Sequence, residues 1–247
     1  MFAFLEYMFI FVKYLVKMVA VISGDIISST SFTDESRTLL DKSLSQLLTD
    51  LKSEFNVFGR VIKGDYLEFV IPEPENALTV AIAIKCFIKS IALESNADEH
   101  SLNRFKFFKT YGLRLAIGYG KLTRYDEEKG IIDGEAIYFS GRTISEESGT
   151  YNKERIVIKN TLFFASANEN LNQEFEPLFF LLDVLLAKAT AKQCEVVYLK
   201  LMNNNEDAIS KIMKIAQSVV NQHSTSVGWN AIDKAVTRFN KVIKSIK

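Results

Sequence analysis

The chain has 247 residues, 48% of them hydrophobic and 24% charged, which excludes a disordered chain and allows one large domain or a medium one with a small companion. Thirty Lys and Arg balance thirty Asp and Glu, so the overall charge selects no partner. The balance is uneven, however: residues 190–247 hold nine Lys or Arg against four Asp or Glu, a net +5 that leaves −5 on the rest, the pattern of a nucleic-acid-binding tail on an acidic body.

The first residues, MFAFLEYMFIFVKYLVK, are strongly apolar but are interrupted by Glu6, Lys13 and Lys17. They lack the roughly 20-residue apolar run of a spanning helix and the cleavage site of a signal peptide, which argues against a membrane partner. Two readings of residues 1–17 remain: an over-called start with Met18 as the true first residue, or an extra helix lying on the body or on a membrane surface. VAVISGDI then has the pattern of a buried strand, and leucines at helical spacing predict a helix over residues 30–55. GRVIKGDYLEFVIP predicts two strands about a turn at Lys63-Gly64-Asp65. NALTVAIAIKCFIKSIALES reads as an amphipathic helix, GLRLAIGYGKLT as a strand, DGEAIYFSGRTISEES as a turn into a helix, and RIVIKN as a strand. From Phe175 onward the pattern is helical. Cys86 and Cys194 fall in apolar helical patterns and read as reduced core residues, consistent with a cytoplasmic protein. The two histidines, His100 and His223, are too few for a histidine-based metal site.

The expected division is therefore an extension (1–17), an α+β domain (18–170), a linking helix (171–189) and a helix-turn-helix module (190–247). In the last part, Thr190 and Gln193 form a capping box, and Asn203 to Asn205 make a turn. EDAISKIMKI and AQSVVNQHSTSV follow as two short helices with Ile209, Ile212, Ile215 and Val220 as their core. Gln217, Ser218, Asn221, Gln222, Ser224 and Thr225 would face the major groove of DNA, where Gln and Asn pair bidentately with adenine, while Lys211 and Lys214 would reach phosphates. Trp229 is expected to anchor the last helix in the core.

Asp25 ends the first strand and Asp65 lies on the hairpin turn; if these neighbour each other, two carboxylates and the Ile26 carbonyl can hold Mg²⁺ or Mn²⁺ against a triphosphate. Ser28, Ser29 and Thr30, the start of the next helix, and Lys63 would bind its phosphates.

SGDIISST, KGDYLEF, LRLAIGYGKL and GEAIYFSGRTI together resemble, in order and spacing, the class III nucleotidyl cyclase fold, and more nearly the SatD-like family, a cyclase-like domain followed by a helix-turn-helix. The resemblance implies a ferredoxin-like core, an antiparallel sheet with helices on it, and a C-terminal all-α module. It implies that Asp25, Asp65 and Ile26 are metal ligands and that Arg142, eight residues after Gly134, steadies charge on the reacting phosphate. It also implies a homodimer. The base-reading positions depart from the cyclase pattern: Tyr138 stands for asparagine, Val61 for lysine and Ile131 for an acid. The expectation is a bacterial transcriptional regulator in which a nucleotide- or metal-binding domain biases a DNA-binding module. The alternatives are a metal-dependent nucleotide-processing enzyme and a catalytically degenerate interaction protein.

Overall fold

The computed structural model describes residues 17–148 and 160–246. The strand expected at RIVIKN and nearly all of the N-terminal extension lie outside them. β1 (Met18–Ile26) starts the sheet and leads through a 3₁₀ turn (Ser29–Ser31) to α1 (Asp34–Phe55). The β2 (Phe58–Ile62) and β3 (Tyr66–Ile71) hairpin follows, then α2 (Ala77–Ser90), α3 (Glu99–Tyr111) and the long β4 (Leu113–Asp126). β5 (Ile131–Gly134) folds back on β4 and runs into α4 (Glu135–Ser148). β6 (Leu162–Ser166) is followed only by helices: α5 (Glu169–Lys188), α6 (Ala191–Leu201), α7 (Glu206–Met213), α8 (Gln217–Ser226) and α9 (Trp229–Ser245).

The strand order is β2-β3-β1-β4, all antiparallel, which is the expected βαββαβ core. Beyond β4 the sheet departs from the fully antiparallel expectation. The C-terminal half of β4 pairs with β5, while its N-terminal half pairs with β6, and in parallel.

Both faces of β1 are covered, which is why its sequence reads as a continuous apolar run. Ala20, Ile22 and Ile26 face the main core with α1 and α2, whereas Val19 and Val21 face a smaller cluster under α4. α4 approaches so closely that a Cβ on Gly118 would sit 2.0 Å from the Ala136 carbonyl oxygen. α1 begins later than its leucine spacing suggests, because the Thr33 hydroxyl accepts the Ser36 N–H and caps it. It buries Leu40, Leu44, Leu47 and Leu51.

α2 is buried nearly all round, not amphipathic. Its two inward lysines are absorbed by backbone carbonyls. Lys85 donates to the Tyr111 and Leu113 carbonyls and the Thr161 hydroxyl and faces Asp183 at 3.4 Å; Lys89 donates to the Thr110, Leu186 and Ala187 carbonyls. Burial lowers the pKa of both amines, opposed at Lys85 by Asp183. Cys86 and Cys194 are free and buried.

The capping box forms at Thr190 and Gln193. Cys194, Val197 and Leu201 of α6 and Ile232 and Phe239 of α9 belong to the same core cluster as the sheet. Trp229 packs against that core too. A separate small cluster of Val196, Ile209 and Val220, with Met213 and Ile215 beside it, joins α6, α7 and α8. Ile212 stays 53% exposed, because on α7 the i, i+4 pair Ile209 and Met213 takes the side facing this cluster. Among the described residues no helix is long and apolar enough to cross a membrane.

Candidate functional site

On the α4 side of the sheet the lining changes from apolar to polar toward the end of β1. After Val19 and Val21 come Ser23 and Asp25, set against Tyr66 and Glu68 on β3 and Arg114 on β4. The Ser23 hydroxyl bonds Ser140 of α4 at 2.8 Å and also the Tyr66 phenol. Burial, ahead of the nearby carboxylates Glu68 and Asp25, raises the Tyr66 pKa. Arg60 of β2 pairs with Glu68.

Asp25 is held by Arg114, whose Nε and Nη2 donate to its two carboxylate oxygens at 3.0 and 2.6 Å. The arginine side chain is 8% exposed and the aspartate 25%. Sequence reasoning missed Arg114. Its strand reads as apolar, and its partner is 89 residues away.

The hairpin turn lies beside the end of β1, as expected: the Ile26 N–H donates to the Asp65 carbonyl at 3.0 Å. Lys63 (φ 54°) and Gly64 (φ 84°) are both left-handed, and the glycine adopts this without a Cβ penalty. The Ser29 hydroxyl donates to Asp65 at 2.7 Å. Ser28 is also left-handed (φ 59°), and its carbonyl accepts from the Ser31 hydroxyl and N–H. A cavity of about 310 Å³ opens here, with Ser29, Thr30, Lys63 and Asp65 in its lining together with Arg37 and Asp41 of α1. Arg37 donates to the Thr30 carbonyl at 3.3 Å. Three of the four expected phosphate-binding residues thus share one cavity. The start of α1 differs from expectation: Thr33 occupies the Ser36 N–H, and the Glu94 N–H donates to the Ser36 hydroxyl.

The carboxylates as placed do not form a ready two-ion site. Both Asp25 oxygens serve a guanidinium, and one Asp65 oxygen accepts from Ser29. Among the described residues no group of three or more His, Cys, Asp or Glu is arranged to hold a metal. Arg142 is also committed elsewhere. It lies exposed on α4, donating to Glu146 at 2.6 Å and to the Tyr138 hydroxyl at 2.7 Å.

On α7 and α8, Gln217, Ser218, Asn221, Gln222 and Thr225 are exposed, but Ser224 is buried, because it lies one turn from Val220 on the inward side. Lys214 is left-handed and exposed at the end of α7, and Lys211 pairs with Asp207 on its own helix.

No family model and no curated protein match the chain. Its structure is similar to the crystal structure of the guanylyl cyclase Cya2, at 11% identity and a TM-score of 0.35, over 53% of this chain and 70% of that one.

Proposed function

We propose that the chain is a regulator of the SatD-like kind: its α+β part binds a nucleotide through phosphate contacts, and α7 and α8 act as a helix-turn-helix on DNA. The observation that carries the reading is the cavity at the end of β1, where hydroxyls of Ser29 and Thr30 and the cations Lys63 and Arg37 converge beside Asp65. Hydroxyls and cations around one concave space are what a phosphate group requires. A Mg²⁺ or Mn²⁺ ion would enter this cavity through Asp65, while Asp25, outside its lining, would become a ligand only if Arg114 released it and the two strand ends closed together.

The DNA reading is supported by the solvent-facing polar residues of α8, behind a short connection that starts at left-handed Lys214. A homodimer fits it, since such readers bind paired half-sites. Turnover is not part of the proposal, because Arg142 is engaged by Tyr138 and Glu146. Mobility shifts against genomic fragments, with and without each nucleoside triphosphate, test the reading. Salt-sensitive binding altered by one nucleotide is the expected result, and no salt-sensitive binding in any condition would sink it.

A further inference from the structure

A second cavity, of about 170 Å³, lies between β6 and α5 and shares no described lining residue with the one at the end of β1. Glu169, Gln173, Glu176 and Phe180 line it from α5, spaced i, i+4, i+7 and i+11 on one side of the helix. Phe163 and Phe164 line it from β6, so its apolar part is largely aromatic.

The polar groups at this cavity are short of donors. Asn172 Nδ2 and Gln173 Nε2 donate to the two carboxylate oxygens of Glu169 at 3.2 and 3.3 Å. Both are neutral amides, so they position the carboxylate without balancing its charge. Among the described residues neither Glu169 nor Glu176 has a cationic partner. Asn160 borders the cavity and is only 7% exposed. Its Nδ2 donates to the Leu162 carbonyl at 2.8 Å, but no described residue donates to its Oδ1. Pro177, inside α5, has no N–H, so the Gln173 carbonyl lacks its i+4 donor. Acceptors without donors beside unbalanced carboxylates call for a ligand that brings N–H groups and positive charge.

We propose that this cavity binds an aliphatic polyamine. Its ammonium groups pair with Glu169 and Glu176 and donate to the free oxygens, and its methylenes lie on the phenylalanine rings, whose faces also attract ammonium. A single metal ion fits less well. It needs oxygens within about 2.6 Å, whereas the two glutamates start about 10 Å apart along the helix, and aromatic rings offer it no ligand. The −5 balance of residues 1–189 favours a polycation here over an anion. The inference does not rest on the nucleotide reading.

Calorimetric titration of the full-length chain with spermidine, free of nucleotide and DNA, tests this. The expected result is saturable binding, weakened at least tenfold in Glu176→Gln and in Phe180→Ala. Butylamine, a monoamine, is expected to bind at least tenfold more weakly than spermidine, and Mg²⁺ at matched ionic strength to leave spermidine binding unchanged. Glu176 is exposed, so Glu176→Gln decides the matter if Phe180→Ala fails to fold. An absence of saturable binding would overturn the proposal. So would affinity unchanged by the substitutions, butylamine binding as tightly as spermidine, or displacement by Mg²⁺, which would mark a general attraction to the acidic body.

Discussion

Arg114 grips both carboxylate oxygens of Asp25 from the neighbouring strand, with the guanidinium almost fully buried. Asp25 thus ends its strand facing a cation that the protein itself supplies. Any divalent ion at Asp25 must displace this pair, whose bidentate geometry is the strong form of a charge-assisted bond.

Arg114→Gln therefore has two expected effects. It leaves Asp25 partly buried without its counter-charge and destabilises the fold by about 1–3 kcal/mol. It also frees the Asp25 carboxylate, next in the chain to Ile26, whose N–H meets the Asp65 carbonyl, so Mn²⁺ raises the melting temperature of the variant more than that of the parent. Thermal unfolding of both proteins with and without Mn²⁺ checks this. An equal Mn²⁺ effect in the two would show that Arg114 does not compete with a metal.

Much of the core was legible because its signals are local. The apolar run of β1, the leucines of α1, the turn at Lys63-Gly64-Asp65 and the capping box at Thr190 each depend on a few adjacent residues, and each appears where it was expected. The rest depends on partners far along the chain. Lys85 and Lys89 look like the polar side of an amphipathic helix until the carbonyls of Leu113 and Leu186 arrive to hold them. Arg114 sits in an apolar-looking strand, and β6 gains its identity from parallel pairing with β4. α3, with few buried positions, carries a weak period. At the site, the shared cavity of Ser29, Thr30, Lys63 and Asp65 followed from strand ends meeting, but the engagement of Arg142 by its own helix gave no linear signal.

Lys63 stands at the tip of the hairpin turn and lines the cavity together with Arg37 and Asp41 of α1. If phosphate binds there, Lys63→Ala weakens nucleoside triphosphate binding roughly tenfold, about 1.4 kcal/mol. Asp65→Asn removes whatever part of the affinity depends on Mg²⁺ and leaves the metal-free part in place. Calorimetric titrations in Mg²⁺ and in EDTA separate the two. Unchanged affinity in Lys63→Ala would place the phosphates elsewhere.

Tyr198 of α6 donates its hydroxyl to Asp50 of α1 at 2.8 Å. Burial, then this bond and the Asp50 charge, raise its pKa well above the usual tyrosine range. The folded state therefore keeps a proton that the unfolded chain loses near pH 10. The stability Tyr198 contributes is complete below pH 10 and falls as pH rises beyond it, by up to about 1.4 kcal/mol per unit. Tyr198→Phe is expected to cost roughly 0.5–1.5 kcal/mol at pH 8 and to close that gap by pH 11. Comparing parent and variant in urea at the two pH values isolates this residue from Lys85 and Lys89, whose lowered pKa values act in the opposite direction. A gap that stays constant would mean that Tyr198 ionises normally in the fold.

The burial of Ser224 divides α8 into residues that can touch DNA and one that cannot. Gln217 and Asn221 share the exposed side one turn apart, whereas Ser224 faces the Val220 side. A bidentate contact to a base is worth about 1–3 kcal/mol of discrimination, so Gln217→Ala or Asn221→Ala should relax specificity by that amount at single positions. Lys214→Ala should instead weaken all sequences alike and reduce the salt slope by about one. Ser224→Ala should leave DNA affinity unchanged, because its hydroxyl is turned inward. Binding isotherms over a range of salt, on the strongest fragment and on point variants of it, distinguish these outcomes. If Ser224→Ala weakens binding as much as Asn221→Ala does, α8 meets its partner by another face and the major-groove reading fails.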